Sequence, residues 1–166
     1  RYDDEYWWKT DDMEFWKKIL EMAPGKKVLE LAAGTARLAI PLIREGAEYT
    51  GIEISPEFCK QAEKKLLHHQ MDATFIQGDI RELDLNETFD LIFIGFNSFL
   101  HLLKDDDAEA CLKCVKKHMH KDTLFVIDIF VPNPLFLYRP ETRFPVMEYI
   151  DSITGELTKV EEISVY

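Results

Sequence analysis

Cysteine is scarce in this chain, with only Cys59, Cys111 and Cys114 among 166 residues. An odd number without framework spacing excludes a disulfide-stapled scaffold and points to reduced thiols, as in a cytoplasmic protein. Cys111 and Cys114 form one C-x-x-C pair. Both fall in an expected helix, and no second ligand pair accompanies them, so they read as structural thiols and no metal site is expected. Basic clusters are also lacking. Acidic residues outnumber basic ones 31 to 20, the formal net charge is -11, and basic residues cluster no further than short pairs such as Lys116-Lys117. Phosphate backbones are held by clustered Lys and Arg, so a nucleic-acid substrate is disfavoured. No apolar run reaches the roughly 18 residues of a transmembrane helix. The start, Arg1-Tyr2-Asp3-Asp4, does not read as a signal peptide and carries no Met, as in a fragment. Glycine is sparse, at seven residues, and the G-x-G-x-x-G dinucleotide fingerprint is absent.

What is present is a core-forming composition, 46% hydrophobic and 12% aromatic, over a length suited to one domain. Residues 11–22 predict a helix with an apolar stripe of Phe15, Trp16, Ile19, Leu20 and Met22, stopped by Pro24-Gly25. Lys27–Leu31 predicts a buried strand, Arg37–Glu45 a helix that tolerates Pro41 near its first turn, and Tyr49–Ile54 a second strand. Ser55-Pro56 opens a helix running to about His69. Strands follow at Ala73–Gln77 and Phe89–Gly95, then a helix at 106–119 and a fifth strand at Thr123–Phe130. This alternation predicts an α/β fold: a doubly wound, mainly parallel sheet with helices on both faces. Beyond it, Val146–Asp151 and Leu157–Val165 predict an antiparallel hairpin around Thr154-Gly155. The expected division is residues 1–144 as the main domain with an N-terminal helical segment, and 145–166 as a hairpin extension of it.

Ligands of such sheets sit outside the carboxyl ends of the strands. There the first strand leads into Glu30-Leu31-Ala32-Ala33-Gly34-Thr35-Ala36. Small residues let backbone amides approach a ligand, and the amino end of the following helix faces it. The acid at Glu30 suits a ligand bearing an ammonium group and suits a pyrophosphate less, which favours S-adenosylmethionine over a nicotinamide dinucleotide. Glu53, nineteen residues after Gly34, is placed to accept from both ribose hydroxyls, with Ile54 beside it. Gly78-Asp79-Ile80 follows the third strand. Asp79 can accept from an exocyclic amine and Ile80 can pack on an adenine face. Gly95-Phe96-Asn97-Ser98 follows the fourth strand and borders the amino-acid end of such a ligand.

Taken in order, Val28-Leu29-Glu30-Leu31-Ala32-Ala33-Gly34-Thr35-Ala36, Glu53-Ile54-Ser55, Gln77-Gly78-Asp79-Ile80, Phe89-Asp90-Leu91-Ile92 and Phe96-Asn97-Ser98-Phe99-Leu100-His101-Leu102 resemble the motifs of the class I S-adenosylmethionine-dependent methyltransferases, closest to their small-molecule branch. The resemblance covers about two-thirds of the chain. It implies a Rossmann-like fold, S-adenosylmethionine as cofactor and S-adenosylhomocysteine as product. Glu30, Ala32, Ala33, Gly34, Glu53, Ile54, Asp79, Ile80, Gly95, Phe96 and Asn97 would form the cofactor site. Tyr2 and Tyr6 resemble the Tyr-Asp-x-x-Tyr start of that branch, which lies over the cofactor. Ala32 and Ala36 replace glycines frequent in the first motif and are tolerable only where φ stays negative. The family sheet usually ends with a helix and an antiparallel strand pair, so the chain reads as truncated, with 145–166 as an added lid or homodimer layer. Alternatively the hairpin is itself the end of the sheet.

Methyl transfer needs alignment and, for a nitrogen or oxygen acceptor, loss of a proton. His101 is the candidate base; as a plain structural residue it would sit at a helix start. Tyr6, Trp7 and Trp8 equally suit packing against the first helix. His118 and His120 flank a helix end without a carboxylate spaced as a third ligand. The alternatives are a nicotinamide-dependent oxidoreductase and a non-catalytic cofactor-binding or association module.

Overall fold

In the computed structural model, residues 2–6, 9–131, 133 and 143–163 are described, Tyr2 by its backbone only. Trp7, Trp8 and the last residues of the expected second hairpin strand lie outside them. The contacts divide the chain into two compact units, residues 12–129 and residues 1–11 with 130–166.

The larger unit is built on a sheet of five parallel strands in the order β3-β2-β1-β4-β5. They are β1 (Lys27–Leu31), β2 (Glu48–Glu53), β3 (Thr74–Gln77), β4 (Phe89–Ile94) and β5 (Met119–Ile127). Four helices pack on it: α2 (Met13–Met22), α3 (Ala39–Arg44), α4 (Pro56–His68) and α5 (Asp105–Lys117). Side chains alternate across the central strands. Val28, Leu91 and Phe93 join Trp16, Leu20, Leu42, Ala62 and Leu66 on the face covered by α2, α3 and α4. Leu29, Leu31, Ile92 and Ile94 meet Cys111, Cys114 and Val115 of α5 on the other. This two-sided burial explains why Val28, Leu29 and Leu31 of β1 and Leu91, Ile92, Phe93 and Ile94 of β4 form apolar runs instead of alternating, with Glu30 as a buried acid among them. The expected doubly wound parallel sheet with helices on both faces is what forms. Strand order reverses between β1 and β4, which opens a crevice at their carboxyl ends.

Local chemistry sets the element ends. Ser55 Oγ accepts from the Phe58 amide at 3.3 Å and Pro56 opens α4. The helix expected from Arg37 begins only at Ala39, because Ala36 stands at φ 67° and residues 34–38 form a turn. Pro41 is therefore the third residue of α3, still within the stretch of unpaired amides. The fifth strand begins at Met119 rather than Thr123 and stops at Ile127 rather than Phe130.

The smaller unit contains the one-turn helix α1 (Tyr2–Glu5) and the antiparallel hairpin β6 (Phe144–Ile150) and β7 (Leu157–Glu162), with Gly155 at φ 73° in its turn. Asp4 accepts from both the amide and the hydroxyl of Ser152, at 3.1 and 2.7 Å. The N-terminal segment bearing Tyr2 and Tyr6 is thus tied to the hairpin. No helix among the described residues is long and apolar enough to cross a membrane.

Candidate functional site

The loop after β1 is bent by three left-handed residues: Ala32 (φ 59°), Gly34 (φ 57°) and Ala36 (φ 67°). The condition of negative φ at Ala32 and Ala36 is not met. Both alanines adopt the conformation that a glycine there would take freely, each at a cost of about 1–2 kcal/mol. The bend is held from β2. The Ala33 amide donates to Ile52 O at 2.9 Å, and the Gly34 amide donates to Glu53 Oε2 at 2.9 Å.

Glu53 is the hinge of this end of the sheet. It is 6% exposed, and its other oxygen accepts from the Ser55 amide at 2.9 Å. Its backbone carbonyl accepts from the Gly78 amide at 3.0 Å, joining the turn after β3. Two amide bonds use only part of a carboxylate's lone-pair capacity. Ile54, next in sequence, is 63% exposed, and Ile80 is half-buried.

Glu30 lies deeper, on the α2 and α3 face of β1, and accepts a hydrogen bond from the Tyr49 hydroxyl. Burial pushes its pKa from 4.5 up to about 8, against the opposing pull of Tyr49 and of the Arg37 charge. Burial and the adjacent Glu30 likewise hold the Tyr49 phenol well above its ordinary range.

Asp79 is engaged within its own turn. Its carboxylate accepts from the Arg81 amide at 2.9 Å and from the guanidinium at 2.6 to 3.1 Å. Hydrogen bonding to Arg81 lowers its pKa. The same guanidinium donates to Asp107 of α5 at 2.8 Å.

The turn after β4 carries Phe96 and Asn97 at φ 51° and 64°, two successive left-handed residues without a glycine. Asp128, just past β5, accepts from the Phe96 amide at 3.0 Å, and its own carbonyl accepts from the Asn97 amide at 3.1 Å. The Arg37 guanidinium lies 5.2 Å from the Phe96 ring centroid and makes a two-pronged ion pair with Asp12 at 2.8 and 2.9 Å. A 3-10 turn, Ser98–His101, follows and ends on an exposed His101. Among the described residues nothing hydrogen-bonds to that imidazole.

The strand-end residues Glu30, Ala32, Ala33, Gly34, Glu53, Ile54, Asp79, Ile80, Gly95, Phe96 and Asn97 therefore belong to one unit and border one end of its sheet. Tyr2 and Tyr6 belong to the other unit. Arg37, Arg81 and Asp128 were not singled out from sequence. Asp128 alone carried a usable signal, an acid at the end of a fifth strand. Cys111 and Cys114 are buried in α5, where burial pushes the Cys111 thiol up to about 11. His118 is buried. Its Nδ1 pairs with Cys114 O at 2.7 Å and its Nε2 accepts from the Leu85 amide at 2.9 Å. No group of three or more metal-ligating side chains occurs among the described residues.

A family model described as a methyltransferase domain matches residues 28–122, from β1 into β5. The chain belongs to this methyltransferase family. The putative methyltransferase YqeM of Bacillus subtilis is 28% identical over 133 residues, covering 79% of this chain and 53% of that protein. The chain spans about half the length, or less, of the curated relatives it matches. An S-adenosylmethionine-dependent methyltransferase from Clostridium acetobutylicum superposes with a TM-score of 0.75 at 20% identity, over 99% of this chain and 79% of that one. The sugar N-methyltransferase KedS8 from a Streptoalloteichus species gives 0.73 at 20% identity, over 99% and 76%. At such identities the structural likeness is one of fold.

Proposed function

We propose that the chain carries the S-adenosylmethionine-binding part of a methyltransferase that transfers a methyl group to a small-molecule acceptor. The observation that carries this reading is the Glu53 carboxylate, buried at the end of β2 and fixed by the Gly34 and Ser55 amides. A fixed acid with free lone pairs suits the paired hydroxyls of a ribose. The rest of the crevice fits the same ligand. Ala32 and Gly34 are partly exposed in the bend, with Ala33 buried between them, Ile54 and Ile80 offer apolar faces to a flat base, and Asp79 suits an exocyclic amine once Arg81 turns toward Asp107. Glu30, Gly95, Phe96 and Asn97 border the amino-acid end.

The cofactor supplies an electrophilic sulfonium methyl when bound. The chain's own task is alignment, which is worth up to about 7–11 kcal/mol in well-oriented systems. His101 is proposed to take the acceptor's proton. Tyr2 and Tyr6 are proposed to cover the cofactor, and the hairpin 145–166, as an extension of the 1–144 domain, to serve as lid or homodimer layer. A cytoplasmic setting and an acceptor other than nucleic acid complete the reading; the net charge of -11 supports the latter. No observation favours the nicotinamide alternative.

Titration calorimetry with S-adenosylmethionine, S-adenosylhomocysteine and NADH tests the proposal. Binding of the first two is expected, and binding of NADH alone would sink it. Asp79→Ala is expected to weaken S-adenosylhomocysteine binding by about 1.5–3 kcal/mol, the range for a bond to a charged acceptor. Unchanged affinity removes Asp79 from the site.

A further inference from the structure

The turn after β4 is strained in a way its sequence does not call for. Phe96 and Asn97 both sit in the left-handed region, and for a bulky residue such as Phe96 that is a rare state. Such conformations persist only where the surroundings over-determine them, and they gather at functional sites. Two devices hold this one. Asp128 takes the Phe96 amide on its carboxylate and the Asn97 amide on its carbonyl, while its own amide donates to Ile94 O at 2.9 Å. Arg37 lies against the Phe96 ring and is itself locked by Asp12. The backbone of the turn is thus fixed from β5, and its one large side chain from the loop after β1.

We propose that Asp128 is a positioning residue. It holds the Phe96–Asn97 turn in its left-handed form, with Arg37 as the second holder, so that the turn is preset for the amino-acid end of the cofactor. This rests on the cofactor reading above. A left-handed glycine would adopt the turn without help but would leave Arg37 no ring to stack on. Phe96 keeps the ring, and the acceptor at Asp128 offsets the strain. Asp128 acts here through its oxygen as an acceptor of a backbone hydrogen bond. Its charge is not required, because an asparagine oxygen accepts the same bond.

The test compares Asp128→Ala and Asp128→Asn in the full chain by two readouts. The first is amide hydrogen exchange at Phe96 and Asn97 without ligand. The second is S-adenosylhomocysteine affinity by calorimetry, with thermal unfolding confirming that each variant is folded. Asp128→Ala is expected to exchange roughly ten-fold faster at the Phe96 amide and to bind roughly ten-fold more weakly, as for loss of a charge-assisted bond. Asp128→Asn is expected to restore both to within about three-fold. An alanine variant with unchanged exchange at Phe96 overturns the proposal. So does an asparagine variant that binds as poorly as alanine while its turn stays protected, because Asp128 would then act on the ligand by its charge. If the unmodified chain binds no S-adenosylhomocysteine, the cofactor reading fails, and exchange at Phe96 still decides whether Asp128 holds the turn.

Discussion

Ala32 and Ala36 carry the same backbone angle and differ in what surrounds their methyl groups. The Ala36 methyl is fully buried in the core beside Leu38 and Ala39, so glycine there would exchange strain for a lost contact. Ala32 is only half-buried, and its left-handed φ dominates. Relief of that strain by Ala32→Gly exceeds the entropy that glycine adds to the unfolded chain, leaving a net gain of about 0.5–1 kcal/mol. For a domain of this size that appears as a rise in Tm of roughly 1–4 °C in a thermal unfolding scan. A lower Tm would mean that the Ala32 methyl makes contacts worth more than the strain it brings.

Between elements, the tightest constraint is where the first loop folds against β2. Gly51 lies in the middle of that strand, paired with Glu30 on one side and Phe75 on the other. A Cβ there would stand 2.9 Å from Ala33 Cβ and 2.9 Å from the tip of the Phe75 ring. Ala33 is buried and Phe75 half-buried, so one of them must shift, and Gly51→Ala is expected to cost about 1–3 kcal/mol in urea unfolding, as for overpacking elsewhere. The displaced Ala33 loop should also weaken S-adenosylhomocysteine binding. Lost stability with full affinity would mean that Phe75 alone gives way. The elements themselves were legible because β1 and β4 are buried on both faces and α2, α4 and α5 on one, which writes continuous or periodic apolar runs into the sequence. Their ends were less so. The α3 start depends on the left-handed Ala36, which an alanine does not advertise. The β5 start depends on ladder pairing of Phe89 with Met119, and on a Thr123 hydroxyl bond to Phe89 O, through polar residues that carry no strand pattern.

Across the whole molecule, the acids at successive strand ends could be read in order because strand order alone sets their place. The clasps around them could not. Arg37 reaches Asp12 across 25 residues, Arg81 reaches Asp107 across 26, and Asp128 reaches the Phe96 amide across 32, and only the closed sheet brings these pairs together. Glu30 was legible as an acid near the end of β1 but not as a buried one. Burial ties its protonation to the stability of the entire fold. Below pH 4.5 the carboxyl is protonated whether or not the chain is folded, and it contributes no pH dependence. Between pH 4.5 and about 8 the unfolded chain releases the proton while the folded chain keeps it. The unfolded state then binds fewer protons, so stability falls as pH rises through this window and levels off above it. At about 1.4 kcal/mol for each pH unit crossed, the whole window is worth a few kcal/mol. Glu30→Gln removes the titration while leaving an oxygen for the Tyr49 hydroxyl. Urea unfolding of the two proteins should therefore show the variant gaining on the parent steadily from pH 4.5 to about 8, with no further gain above. A difference that stays constant across that range would mean that Glu30 ionises in the fold as it does in water, and that the Tyr49 hydroxyl and the Arg37 charge outweigh its burial.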